Sequence, residues 1–412
     1  MRPVPGAGRY AAWQALVGTW FWLPVFFLYF TGELGLDGAL LLEAVYYVAV
    51  VVTEVPSGYI SDRLGRKTTL VLASIWFVVA YAAFWVGGSL PVLVVGQVFL
   101  ALAISFRSGT DASYHLELLT EAGAGGEFGA REGRLVRLTL LVGALGAVAG
   151  GLAGTFSLRS AYLLCMGSSV AALAVAIFLH SVGTPGEKSA AGPADQLRAC
   201  WVAAARRPTA GRVPLRWLFG VAVLAVVLAH VPYQLYQPYL DLLSLDTAVL
   251  PTPLVSGGHT AVALLFAAPV AGWSGHAARR FGIRGTLLGA LAGQLLIIGV
   301  IAVAVHPIIA GLLVLRGVPG ALLRPTLDAA VAPQVRAGLR ATYLSLQSLG
   351  GRLAYAFALA AMSLVAASGA TEAGLRTLAA AVLGVGVVGW IILASSGRGG
   401  QHRTDSSLEG RP

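Results

Sequence analysis

Residues 58–67, Gly-Tyr-Ile-Ser-Asp-Arg-Leu-Gly-Arg-Lys, make a short charged stretch between two long apolar runs. The run before it spans roughly 37–57 and closes on Glu54-Val-Pro-Ser57; the run after it, 68–88, is almost entirely apolar. Each run is about the twenty residues that a helix needs to cross a bilayer. The join is so short that the two must be antiparallel neighbours. Gly58 and Gly65 allow close backbone approach or positive φ. Arg63, Arg66 and Lys67 hold the turn on the cytoplasmic side of a membrane. Asp62 supplies an acid able to pair with a helix end or an arginine.

Composition says the same of the whole chain. Its 412 residues are 57% hydrophobic and 11% charged, with a mean hydropathy of +0.79. An aqueous fold cannot hide that much apolar surface, so the solvent is lipid. The spans are helices, because backbone groups in lipid must find internal partners. A transmembrane barrel would alternate polar and apolar residues over short segments, whereas the runs here are continuous. The net charge of +10 does not point to nucleic acid, since the basic residues collect in alternate loops. Two cysteines, Cys165 and Cys200, imply no disulfide framework and no metal cluster. The first span, preceded by Arg2 and Arg9 and followed by no small-residue cleavage pattern, reads as retained.

Twelve spans are expected, at 10–31, 37–57, 68–88, 91–113, 134–156, 160–181, 214–239, 252–274, 284–305, 307–329, 341–366 and 373–395. Arginine and lysine crowd the segments on one side, among them Arg131, Arg134, Arg137, Arg279, Arg280, Arg336 and Arg340. The other side carries only Arg159 and Arg376, with Glu33, Asp37, Asp241, Asp246 and Glu372. This asymmetry puts both termini in the cytoplasm. The expected organisation is an N-terminal six-helix bundle (1–182), a cytoplasmic linker (183–213), a C-terminal six-helix bundle (214–395) and a disordered cytoplasmic tail (396–412). In the linker, Leu197, Cys200, Trp201 and Ala204 repeat at helical spacing beside Arg198, Arg206 and Arg207. That pattern suits an amphipathic helix on the membrane face; a disordered basic linker fits as well.

Shifting the chain by about 217 residues aligns its halves. Gly58, Arg63, Gly65 and Lys67 fall on Gly275, Arg280, Gly282 and Arg284, while Asp62 falls on Arg279. Arg107 and Asp111 fall on Arg324 and Asp328, and the spacing of four lets each pair meet on one helix face.

The pattern Gly-x-x-x-Asp-Arg-x-Gly-Arg-Lys at 58–67 resembles the signature loop of the major facilitator superfamily, between that family's second and third helices. The segments 105–111 and 340–347 also resemble its bacterial branch. The resemblance covers nearly the whole chain. It implies an all-α polytopic protein of twelve transmembrane helices in two pseudo-symmetric bundles, with a substrate site between them at mid-depth. One departure is Gln97, near the place where the family's fourth helix often carries an arginine. Gly146-Ala-Val-Ala-Gly150-Gly151 partly matches an antiporter motif, with Ala147 in place of its proline; close helix packing explains these glycines equally well.

Charged groups within membrane spans are functional candidates, because burying them is costly. Glu54, Arg107, Asp111, Arg324 and Asp328 lie near the inner ends of their spans and are expected to form an inner-gate charge latch with Asp62 and Arg66. Snorkelling charges that only fix helix position are the alternative. Arg316 and Arg352 lie roughly 14 and 18 Å along their helices, near the midplane. They suit an anion-attracting cavity, or else bond to backbone carbonyls or to glutamates. Trp20, Gln97, Tyr233 and Gln234 complete the expected substrate cavity, while Tyr29, Tyr236 and Tyr239 suit an aromatic belt. Glu43, Glu54 and Asp111 are the candidates for proton coupling.

No enzyme signature occurs. His115-Leu-Glu117 is not a metal motif by itself, and no phosphate-binding Gly-x-x-x-x-Gly-Lys-Ser/Thr loop is present. No cofactor or metal is expected. The expected function is alternating-access, proton-coupled efflux of a small amphipathic molecule, an anion being one candidate, by a monomer in the bacterial cytoplasmic membrane. Its partners are the substrate, lipid and protons, with no nucleic acid. Uptake of a sugar or organic acid, by symport or facilitated diffusion, is the second reading. A non-transporting sensor or assembly factor is the third.

Overall fold

The protein was studied as a computed structural model, which describes residues 3–108, 110–182, 212–247, 251–331, 334–335, 337–366 and 371–396. The described residues are helical and contain no strand. The expected amphipathic linker helix and the C-terminal tail lie outside them. Ten described helices are long and apolar enough to cross a membrane, and Thr252–Ala267 is a shorter apolar one. With an interrupted first crossing, described next, they accommodate the twelve spans expected. Large apolar side chains cover the exterior: Phe156 and Leu364 are each 85% exposed. Lipid tails, not water, solvate such surfaces.

The chain forms two compact units. The first comprises Met1–Ala190, Gln237–Leu265 and Ala356–Thr371; the second comprises Ala191–Tyr236, Phe266–Tyr355 and Glu372–Pro412. The division into sequence repeats, 1–182 and 214–395, is our proposal and follows a different line.

In the first unit, α1 (Ala7–Val17) stops at Gly18, and α2 (Phe26–Leu64) begins only after seven further residues, 19–25. The first span is therefore not the continuous helix expected over 10–31. Pro24 has no N–H, and its ring would clash with the carbonyl of Trp20 in a helix. Trp20 adopts φ 45°, the one described non-glycine residue at positive φ. α2 is itself broken at Gly35 (φ 76°, ψ 174°), which separates the first two crossings. It then runs through residues expected to be turn, so that the break before α3 (Arg66–Val86) is the single residue Gly65, at φ 84° and ψ 153°. Gly58 sits inside the helix. α4 (Leu90–Arg107) ends at Ser108, short of the span end expected at Ser113, and α5 (Thr110–Glu121) follows as a separate helix.

α6 (Phe128–Phe156) and α7 (Leu158–Ile177) complete this part of the unit, joined at Ser157, whose side chain caps α7 by accepting from Arg159 N. α3 packs against α2, α4 and α7. It buries Leu70, Ala73, Phe77, Ala80, Tyr81 and Phe84, the three- and four-residue spacing of one helix face. Gly96 of α4 lies under the Phe84 ring, where a Cβ would collide.

In the second unit, α8 (Leu215–Thr247) contributes its residues up to Tyr236, and α9 (Thr252–Val303) contributes those from Phe266. α9 breaks at Gly282 (φ 71°, ψ 161°). The tenth expected span, 307–329, is interrupted. A short helix α10 (Pro307–Leu312) passes through a 3-10 turn, Leu313–Gly317, into α11 (Val318–Val331). Pro319 again explains this, since it cannot donate and would crowd the carbonyl of Leu315. α12 (Ala337–Val365) and α13 (Glu372–Ser396) follow. Trp217 Nε1 donates to Leu393 O at 2.9 Å, Trp390 Nε1 to Leu288 O at 2.9 Å, and Tyr343 OH to Leu215 O at 2.8 Å. These bonds tie α8, α9, α12 and α13 together.

Candidate functional site

The charged turn of the first unit is held by hydroxyls as much as by ions. Ser57 Oγ donates to Ser105 O at 2.9 Å, and Thr53 and Ser105 share a hydrogen bond of 2.8 Å. Thr110 Oγ1 donates to Ser61 Oγ at 3.0 Å, and the same Ser61 oxygen accepts from Arg66 at 2.9 Å. Arg66 also pairs with Glu117 at 3.2 Å. Asp111 pairs with Arg107 at 3.3 Å, one turn away on the chain. Glu117, which the expected latch of Asp62, Arg66 and Asp111 did not include, is thus among the acids at Arg66. α5 brings it there. Thr110 and Glu117 are seven residues apart, two helical turns, so both face the turn. The Asp62 side chain lies outside the described residues. Arg63 is exposed, Lys67 and Glu54 are half-buried.

Deeper in the unit, Gln97 Nε2 of α4 donates to Glu43 Oε1 of α2 at 2.8 Å. Glu43 is 6% exposed and Gln97 1%. Sequence reasoning assigns these two to different roles, proton coupling and substrate cavity; the fold makes them partners.

The unwound stretch after α1 is a third polar centre. α2 leaves the N–H groups of its first turn without helical acceptors. Gln237 Oε1 accepts from Phe27 N at 2.9 Å and from Leu28 N at 3.1 Å, while its Nε2 donates to Leu23 O at 2.9 Å. Ser256 Oγ donates to Pro24 O at 2.6 Å. A buried backbone group without a partner costs about 1–3 kcal/mol, so these two side chains make a buried break tolerable. On its other side, the stretch lies in a groove of glycines on α6. A Cβ at Gly146 or Gly150 would overlap the carbonyl of Thr19 or Phe21, and one at Gly143 would meet the Trp20 ring. Close packing is therefore what these glycines do here. Tyr29 and Tyr239, read as belt residues, are buried instead, with Tyr29 OH donating to Phe84 O at 2.8 Å.

In the second unit, Arg316 lies in the 3-10 turn and is 2% exposed. Its guanidinium sits 4.0 Å from the ring centre of Tyr236 and 5.0 Å from that of Tyr233, and NH1 donates to Leu313 O at 3.1 Å. Tyr236 is thus a cation partner rather than a belt residue. Gln234 is buried and Arg352 half-buried. A separate cavity of about 190 Å³ opens among α8, α9, α11 and α12, lined by Ala225, Val226, His230, Gln294, Leu323 and Gln347. Arg324 and Asp328 also border it, and they pair at 3.3 Å. Trp20, Gln97, Tyr233, Gln234, Arg316 and Arg352, the expected cavity residues, do not line it.

Glu117, Gln237, Gln294 and Gln347 were not selected from sequence. An amide inside an apolar run is a signal for the last three; for Glu117 the signal is its two-turn spacing from Thr110.

No curated relative matches the sequence. Solved structures match it closely in fold and weakly in sequence. A mutant of the nucleoside transporter NupG superposes with a TM-score of 0.80 at 13% identity, covering 94% of this chain and 99% of that one. A mutant of the peptide transporter POT gives 0.73 at 16% identity, covering 95% and 94%. A D-xylose–proton symporter gives 0.63 at 13% identity, covering 93% and 95%. The family model described as Major Facilitator Superfamily matches residues 11–359. With that match over most of its length, this chain belongs to the Major Facilitator Superfamily and is a membrane transporter, not an enzyme.

Proposed function

We propose that the protein exports a small amphipathic molecule in exchange for protons, by alternating access. The observation that carries this reading is the buried Glu43–Gln97 pair. A carboxyl can take up and release a proton, and one enclosed at membrane depth marks a proton path. Its partner across the helix pair is a neutral amide, where the family often has an arginine; protonation of Glu43 therefore need not break an ion pair with Gln97. The similarity to a D-xylose–proton symporter is consistent with proton coupling on this fold. The charge asymmetry of the loops supports a bacterial cytoplasmic membrane with both termini inside, and we propose a monomer.

Export is favoured by the apolar walls of the second-unit cavity. Solutes that suit such walls enter bilayers unaided, so a carrier is needed to expel them, not to admit them. An anionic substrate receives less support. Arg316 is 2% exposed and already engaged by two tyrosine rings and a carbonyl.

The test is reconstitution into liposomes with a pH-sensitive dye inside, challenged with a panel of neutral amphipathic solutes. Solute-evoked proton movement is expected in the parent protein and should be lost in Glu43→Gln. Undiminished movement in that variant would refute the role of Glu43.

A further inference from the structure

The turn around Gly282 carries a surface that the transport reading does not use. Where the first copy has Asp62, the second has Arg279, so Arg279, Arg280 and Arg284 crowd residues 279–284 with no acid among them. Arg279 and Arg280 are exposed. Among the described residues of this unit, the acids are Asp328 and Glu372. Each closes on an arginine four residues from it, Asp328 on Arg324 at 3.3 Å and Glu372 on Arg376 at 3.2 Å. No described carboxylate of the unit is left for Arg279 and Arg280. The same surface is apolar between its charges. Phe281 is 60% exposed, Trp273 53% and Ile283 37%. Trp273, His276 and Arg280 follow one another at the spacing of one helix face. The indole and imidazole rings stack with centres 5.3 Å apart, and the Arg280 guanidinium lies 5.7 Å from the centre of the Phe281 ring. Along the axis of α9, Trp273 and Arg280 are roughly 10 Å apart. That length crosses a lipid headgroup layer, about 5–8 Å thick, and reaches hydrocarbon.

We propose that this face of α9 is a docking surface for anionic phospholipid, whose headgroup phosphate is held by Arg279 and Arg280 while the apolar side chains beside them sit in the lipid. Charge and polarity both select this occupant. A soluble anion would meet the arginines and leave Phe281, Ile283 and Trp273 in water. A neutral lipid would cover the rings and leave the guanidiniums without an anion. An anionic lipid answers both, as basic and aromatic side chains do together at membrane interfaces. Arg284 adds to the charge from 5.5 Å over the Trp217 ring, next to the exposed Arg216. The first copy of the turn is differently placed, because its Arg66 pairs with Glu117 at 3.2 Å. The surface is built from residues of the second unit alone, and the claim is one of binding that stands whatever the carrier's substrate, direction or coupling.

The experiment uses the full chain in detergent micelles, titrated with dioleoylphosphatidylglycerol or with dioleoylphosphatidylcholine. Bound lipid is counted by native mass spectrometry, and stability is read as thermal shift. The parent should hold the phosphatidylglycerol at least about tenfold more tightly than the phosphatidylcholine, and the advantage should shrink as salt rises. Arg279→Gln combined with Arg280→Gln should bring the two lipids within about twofold of one another. Trp273→Ala, which keeps every arginine, should weaken both lipids and leave their ratio as in the parent. Arg134→Gln combined with Arg137→Gln removes the same charge from the first unit and should keep the parent's preference. Glycerol phosphate, a headgroup without acyl chains, should not displace the phosphatidylglycerol at equal concentration. Equal loss of preference in the two double variants overturns the proposal, since net charge alone would then recruit the lipid. So does a parent that does not distinguish the lipids, and so does displacement by glycerol phosphate, which would make the patch a site for free phosphate.

Discussion

The turns around Gly65 and Gly282 lie 217 residues apart and share one backbone device. Gly65 has φ 84° and ψ 153°, Gly282 φ 71° and ψ 161°. In both, helix runs up to the glycine and resumes after it. Their ionic dressing differs. In the first copy Arg66 reaches Glu117 and Ser61. In the second, Arg284 stands 5.5 Å over the Trp217 ring and Arg280 5.7 Å over that of Phe281. The helix-end pairs differ in burial rather than geometry. Arg107–Asp111 and Arg324–Asp328 both close at 3.3 Å, with side-chain exposures of 22% and 20% against 75% and 43%. The comparison separates what a tight helix reversal demands, a glycine at a dihedral other residues resist, from what each copy is free to vary, the charges around it.

That separation is easiest to break at the glycines. Open space surrounds a Cβ at either position, so substitution costs conformation alone. Gly65→Ala and Gly282→Ala should each destabilise by about 1–3 kcal/mol, read as a lowered melting temperature in detergent. A loss at only one of them would show that the turns are not the same device. The acids should then divide the copies. Asp111→Asn should cost about 1 kcal/mol, since it strands a half-buried arginine, and Glu117→Gln about 0.5 kcal/mol. Asp328→Asn, in a pair open to solvent, should cost no more than about 0.3–0.5 kcal/mol. Equal costs for Asp111 and Asp328 would mean that burial does not set the difference.

The sequence made the outline legible because lipid imposes simple rules. Continuous apolar runs, glycine-bracketed turns and a repeat at one offset need no knowledge of partners, and the bundle follows from them. Interruptions were harder. Pro24 and Pro319 each sit inside a run apolar enough to read as one helix, and hydropathy does not register a missing N–H. Partner choice was harder still. Arg66 was read against Asp62 and Asp111, and Glu117, two helical turns beyond Thr110 on α5, meets it as well. In sequence Gln237 is one amide among the tyrosines of 233–239. Its three bonds depend on an unwound stretch more than two hundred residues away, a tertiary fact no local pattern carries. The roles assigned to Trp20, Gln234 and Arg352 remain proposals on the same footing as the carrier's direction.

The central claim is that Glu43 carries the coupling proton, and driven and undriven transport measured side by side test it most directly. In liposomes loaded with a transported solute, the parent protein should concentrate that solute against its gradient when a pH gradient is imposed, and should exchange it when none is. Glu43→Gln should keep the exchange and lose the concentration. Concentration at the parent level in Glu43→Gln would contradict the account.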